Sequence, residues 1–292
     1  MDIIMNEYTY AENLLNKQDL KACDLGDKPS STLNLLARYY REIGKNDDEI
    51  KELLSDFLNR CLKDKYKESK WIDSIFYQVV KSKKYNLKKV DNVIVTKSEM
   101  EIIQSVKGKS RQKVLFTLLI LAKYYNAVSD KNKNWTNLEY KKIFKLANVQ
   151  LSIQNQALLI NDLYNCGFVN VSKNVGKPNI QVNFVDNESD TVLTIARLKD
   201  LGKEYLMFCG EDYIRCQKCG TLVKNYKNTN KYCKTCGQYQ PIETKTVVCV
   251  DCGKEFSIDA NSRKIRCENC YKIERRRINR KNISNSRSKN NM

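Results

Sequence analysis

The chain has 292 residues, of which 12 are cysteine and none histidine, and its 52 Lys and Arg against 34 Asp and Glu leave a formal net charge of +18. That length allows a sizeable core and about two to three domains. No apolar run reaches the roughly 18 residues of a membrane span, and a start carrying Asp2, Glu7, Glu12 and Asp19 does not read as a targeting peptide, so the expected compartment is the cytoplasm. Without histidine, a glycine-rich phosphate loop, a nucleophile elbow or a deaminase signature, the sequence does not read as an enzyme.

Residues 1–30 are weakly patterned and read as a poorly ordered or docking segment. Residues 31–90 form a helical module. Leu33, Leu36, Ala37, Tyr40 and Ile43 recur at helical spacing up to Gly44, and Asn46 with Glu49 offers a capping box to a helix lined by Ile50, Leu54, Phe57 and Cys61. Trp71, Ile72, Ile75, Phe76 and Val79 mark a third helix, and Lys81 to Lys89 is a basic link.

Residues 91–212 begin with the extended run Val93-Ile94-Val95, and Thr96 with Glu99 forms a second capping box. Leu115 to Tyr125 is the strongest helical run, with Ser110 as its candidate cap. Thr136 and Glu139 predict a third capping box into Tyr140–Ala147, and Ser152 precedes a helix over Ile153–Cys166 that closes at Gly167. Alternation at Phe168–Ser172, a turn at Asn174–Pro178 and a strand at Ile180–Val185 complete the pattern of a winged helix-turn-helix. Gln154 and Asn155 on its third helix have side chains suited to adenine edges, and Lys173 and Lys177 on the wing would meet phosphates. That helix carries Asp162 and no Lys or Arg, so docking to protein stands beside DNA reading for this module. Thr191–Phe208 reads as a strand and then a helix.

Eight cysteines then fall into two four-cysteine frames. Cys216, Cys219, Cys233 and Cys236 lie in residues 213–242, and Cys249, Cys252, Cys267 and Cys270 in residues 243–272. A Cys-x-x-Cys turn aims two thiolates at one ion and a second closes a tetrahedron, which is zinc-ribbon spacing. Gly220, Gly237 and Gly253 follow three of the pairs and let such turns curl beneath a metal. All-thiolate ligation fits two structural Zn2+ ions, with iron as the other metal such sites accept, and disulfides are disfavoured in a cytosolic chain. Cys23, Cys61, Cys166 and Cys209 are scattered and read as small buried residues.

Residues 213–292 hold 19 Lys and Arg against 6 Asp and Glu, while the rest of the chain holds 33 against 28. Arg263, Lys264 and Arg266 lie in the second frame, and Arg275, Arg276, Arg277, Arg280 and Lys281 in or beside the basic tail at 273–292. The tail begins helically, ends in Ser/Asn-rich sequence, and should order on an anionic partner, a solubilising tail being the plain alternative. This concentration of charge points to nucleic acid through counterion release, with Tyr226, Tyr232 and Tyr239 interleaved among lysines as candidate stacking rings.

Three stretches carry a resemblance: Leu115–Tyr125, Ile143–Asn148 and Leu201–Leu206 leading into the first Cys pair. From about Leu33 to Cys236 the chain resembles a family of uncharacterised proteins from phages and mobile elements of low-GC Gram-positive bacteria. Leu35 to Phe57 looks like the helical module C-terminal to some primases, and the second frame is similar to add-on ribbons of phage proteins. The resemblance implies a replication or transcription setting and supplies no catalytic residues. The expected architecture is α+β and multidomain: a helical N-terminal region, a winged helix and two zinc ribbons. The expected function is nucleic-acid binding, DNA ahead of RNA, as a regulator or replication accessory. An adaptor or inhibitor that binds a host complex, such as a polymerase or a defence nuclease, is the alternative, and a membrane partner is not expected.

Overall fold

The computed structural model describes residues 3–26, 28–62, 77, 86–129, 131, 133–172, 179–225, 231–238, 244–259 and 262–289. The expected helix over Trp71–Val79, the turn Asn174–Pro178, and Tyr226 and Tyr239 lie almost wholly outside them. The chain divides into two compact units, Met1–Arg215 with Gly220–Asn230, and Cys216–Cys219 with Lys231–Met292. No described helix is long and apolar enough to cross a membrane.

The first unit is α+β and contains two hydrophobic cores. The N-terminal core gathers α1 (Glu7–Leu15), a 3-10 turn (Ala22–Leu25), α2 (Pro29–Glu42) and α3 (Asp47–Leu62). The expected capping box starts α3: Asn46 Oδ1 accepts from the N–H groups of Asp48 and Glu49, and Glu49 accepts in return from the Asn46 N–H. The N-terminal segment, unpatterned in sequence, is ordered because Ala11, Leu14, Leu20 and Leu25 complete this core. Its nearly buried Glu7 is held by Arg38, at 2.9 Å, and by the Lys88 N–H, at 3.0 Å.

The second core is built around α5 (Lys109–Ser129), where every residue from Val114 to Tyr124 is buried. A helix apolar on all sides is stable only when surrounded, and here α4 (Lys97–Ser105), α6 (Tyr140–Leu146), α7 (Ile153–Asn165) and α8 (Leu201–Phe208) help to enclose it. β1 (Val93–Thr96) pairs antiparallel with β5 (Thr191–Ile195), Val93 opposite Ile195. A three-stranded antiparallel sheet has the order β2-β4-β3, from β2 (Trp135–Thr136), β3 (Val169–Val171) and β4 (Ile180–Val182).

Two local readings are revised. Ser110 lies inside α5, which begins at Lys109, so it is not that helix's cap. Thr136 does not cap α6. It pairs with Ile180 in β2 and is fully buried, while Glu139 occupies the N-cap position with no side-chain hydrogen bond. A Thr-x-x-Glu spacing is compatible with either state, and the neighbouring strand won. By contrast, the boxes at Thr96/Glu99 and the cap at Ser152 form as expected. Asp162 also has a role the sequence hides, an ion pair with Arg111 that ties α7 to the start of α5.

Two contacts set the packing of this unit. Lys123 on α5 is buried and donates to Glu99 Oε1 and Oε2 at 2.7 and 2.9 Å and to the Asp186 carbonyl at 2.8 Å. Glu99 also accepts from the N–H groups of Thr96, at 2.8 Å, and Asp186, at 2.9 Å. Gly202 on α8 lies against α6 so closely that an added Cβ would sit 1.8 Å from the Ala147 carbonyl oxygen.

Candidate metal centres and basic surface

In each four-cysteine group one pair lies on a tight turn and the other at the start of a helix. Cys216–Cys219 and Cys249–Cys252 form the turns, and Gly220 and Gly253 follow them at φ +68°, a left-handed geometry that glycine adopts without a Cβ clash. Two turns per site were expected. The partner pair of the first site instead brackets the start of α9 (Lys234–Gln238), and that of the second brackets the start of α10 (Glu268–Lys289). Gly237 therefore sits within a helix and has no left-handed role. A helix start brings free N–H groups toward sulfur, which favours thiolate. The Cys236 N–H donates to Cys233 Sγ at 3.4 Å, and in the second site the Cys267 N–H donates to Cys249 Sγ at 3.3 Å.

Within each group all four Sγ atoms lie within 4.8 Å of one another. Cys219 and Cys233 are 3.6 Å apart and Cys252 and Cys267 are 3.8 Å apart, sulfur to sulfur. A tetrahedron with metal–sulfur bonds of about 2.3 Å has edges of about 3.8 Å. The donor spacing therefore fits a tetrahedral ion, and both groups can hold a metal.

The protonation pattern agrees. Burial opposes ionisation of Cys216, but the N–H groups of Cys233, Cys219 and Lys218 outweigh it and bring the thiol down to about 6. The Cys267 N–H, the largest influence on Cys249, brings that thiol to about 6 as well. Their neighbours move the other way. Cys236 is pushed up to about 12, first by Cys233, and Cys270 is pushed up, first by Cys267. Four thiols so close cannot all lose their protons unaided, and a divalent cation supplies the opposing charge that lets them do so. Of the four cysteines outside the groups only Cys61 is buried, and Cys23, Cys166 and Cys209 are exposed.

β6 (Thr244–Val248) and β7 (Glu255–Asp259) form a hairpin whose turn carries Cys249 and Cys252. Arg266 is not free for a ligand, because it ion-pairs with Asp251 at 2.7 Å and braces that turn. Arg263 and Lys264 are exposed and have no ion pair among the described residues. The 22-residue α10 carries Arg275, Arg276 and Arg280, exposed and likewise unpaired, and Arg277, which lies 3.8 Å from Glu274. Lys281 continues the same helix. The basic segment is thus helical over nearly its whole length, beyond the helical start read from sequence.

On α7, Gln154 and Asn155 are exposed. They share the outward face with Ile153, 80% exposed, Leu158, 60%, and Tyr164, 49%, an apolar character that the residue-by-residue reading missed. Counting the apolar residues left over after the core-facing positions Leu159, Ile160 and Leu163 would have found it. Lys173 and Lys177 lie outside the described residues.

Comparison with protein-family models, curated proteins and solved structures finds no match for this chain.

Proposed function

We propose that this chain is a zinc-containing nucleic-acid-binding protein in which the two metal sites order a basic C-terminal unit and α10 supplies most of the electrostatic affinity. One observation carries this reading: Arg275, Arg276 and Arg280 stand exposed on one continuous helix and have no acidic partner among the described residues. Twenty-two helical residues span about 33 Å, enough to follow several phosphates. All-cysteine coordination with no open position suits structural zinc and no catalysis. The order α5-β2-α6-α7-β3-β4, with β4 between β2 and β3, supports a winged helix in the first unit. DNA is the preferred target, and a regulatory or replication role in a phage or mobile element is the biological setting.

The test is the salt dependence of duplex DNA binding. With about four to six phosphates contacted, the log–log slope should be about −4 to −5. Removing residues 271–292 should flatten it and weaken binding to all sequences alike. A deletion that leaves affinity and slope unchanged would refute the reading. A second reading, a protein adaptor, is favoured by the apolar outward face of α7. It predicts stable capture of a host complex with no DNA binding, lost on Leu158→Ser.

A further inference from the structure

The first unit carries an unassigned cleft of about 460 Å³ where the end of α5 meets β2 and the β3–β4 edge. Strand alternation sends Thr136 into the core and Trp135 to the opposite face. There the half-buried indole of Trp135 is joined by the half-buried Tyr125 and by Lys131, Lys133, Asn137 and Asn179. Among the described residues, neither lysine has an acidic partner, the indole N–H donates to no protein acceptor, and the side-chain amides of Asn137 and Asn179 bond to nothing.

We propose that this cleft takes one unpaired nucleobase together with its flanking phosphate, so that the chain binds single-stranded nucleic acid through its first unit. An aromatic face stacks on any base, side-chain amides match base edges, and exposed lysines match phosphate. The volume is that of a small-ligand site, about 300–1,000 Å³. It admits a nucleotide. Trp135 lies opposite Gln181 on β4, whose side-chain amide donates to the Lys133 carbonyl at 3.1 Å and holds that lysine's backbone against the sheet. This contact is separate from α10 and extends the reading above to a second kind of nucleic-acid strand.

Trp135 and Trp71 are the only tryptophans, so a full-length Trp71→Phe variant reports on Trp135 alone. Its emission should be quenched by (dT)10 or (rU)10, the tighter of the two naming the natural strand, and not by a 10-base-pair duplex or by polyglutamate. In that background, with binding read by oligonucleotide anisotropy, Trp135→Ala should weaken binding about tenfold, the loss of one base stack, while Trp135→Phe should recover most of it. Lys131→Gln with Lys133→Gln should reduce the salt slope by about 1.4. These two lysines are exposed, so their effect decides the matter even if Trp135→Ala misfolds. Unchanged Trp135 emission with either oligonucleotide at saturation overturns the inference, and it leaves the α10 reading standing if the oligonucleotide still binds with its full salt slope. Quenching by polyglutamate alone assigns the cleft to an acidic protein and also overturns it. Quenching that persists after deletion of residues 271–292 supports the cleft whatever becomes of the tail.

Discussion

Replacing Lys123 by Met would remove the cation paired with Glu99, whose side chain is fully buried. Three bonds disappear, to Glu99 Oε1, Glu99 Oε2 and the Asp186 carbonyl. Stripping one partner from a buried ion pair costs about 3–5 kcal/mol, because the remaining charge is left uncompensated. Changing both residues, Glu99→Met with Lys123→Met, removes that stranded charge and should recover part of the loss. Recovery cannot be complete, since the buried N–H of Thr96 and the half-buried N–H of Asp186 lose their acceptor, and a fully buried orphan costs about 1–3 kcal/mol, a half-buried one less. The double variant should therefore remain about 2–4 kcal/mol less stable than the parent, with a favourable coupling of at least about 1 kcal/mol. Urea unfolding followed by far-UV circular dichroism, at fixed excess zinc so that metal linkage is constant, measures all four species. A double variant as stable as the parent would refute the assignment of Glu99 as a backbone acceptor. A Lys123→Met cost below about 1 kcal/mol would refute the buried pair itself.

Gly202→Ala puts a Cβ 1.8 Å from a backbone oxygen that no rotamer change can move, so α8 must shift from α6 and the thermal midpoint should fall by an amount corresponding to about 2–4 kcal/mol. Elemental analysis should find about two zinc ions per chain, and Cys249→Ser with Cys252→Ser should release one of them without changing the midpoint of the first unit. Ser189 and then Ser98 hold the Asp186 carboxyl well below its ordinary value by donating to it. A carboxyl lowered in the folded state contributes stability that is complete above its unfolded value, about 4, and is lost as pH falls below that. Asp186→Asn should flatten the acid limb of a stability–pH curve, and an unaltered limb would show that these hydroxyls do not bind the ionised form.

Much of the local structure is written in short-range chemistry. The caps at Asn46, Thr96 and Ser152 form where a side-chain oxygen precedes helical spacing, because a cap needs only its own next three residues. The failure at Thr136 is of the same kind seen from the other side: a cap signal competes with a strand partner, Ile180, more than forty positions away, which no window on the sequence contains. Asp162 looked out of place on its helix until Arg111, fifty-one positions earlier, was brought beside it. Residues 7–25 looked unpatterned because Ala11, Leu14, Leu20 and Leu25 feed a core whose other members lie on α2 and α3.

The two four-cysteine groups able to hold a metal were determined by the sequence itself. Cys-x-x-Cys spacing fixes two sulfurs within one turn whatever surrounds them, and eight cysteines in two frames leave one sensible pairing of turns. The concentration of positive charge after residue 212 is likewise a property of composition. Tertiary structure alone decided that each site is built from one turn and one helix start, that Arg266 is spent on Asp251, and that α7 turns an apolar face outward. It alone opened a cleft beside Trp135 between elements distant in the chain. Ligand spacing and charge are summed over neighbours in sequence, whereas burial and side-chain partners depend on contacts that exist only once the chain has folded.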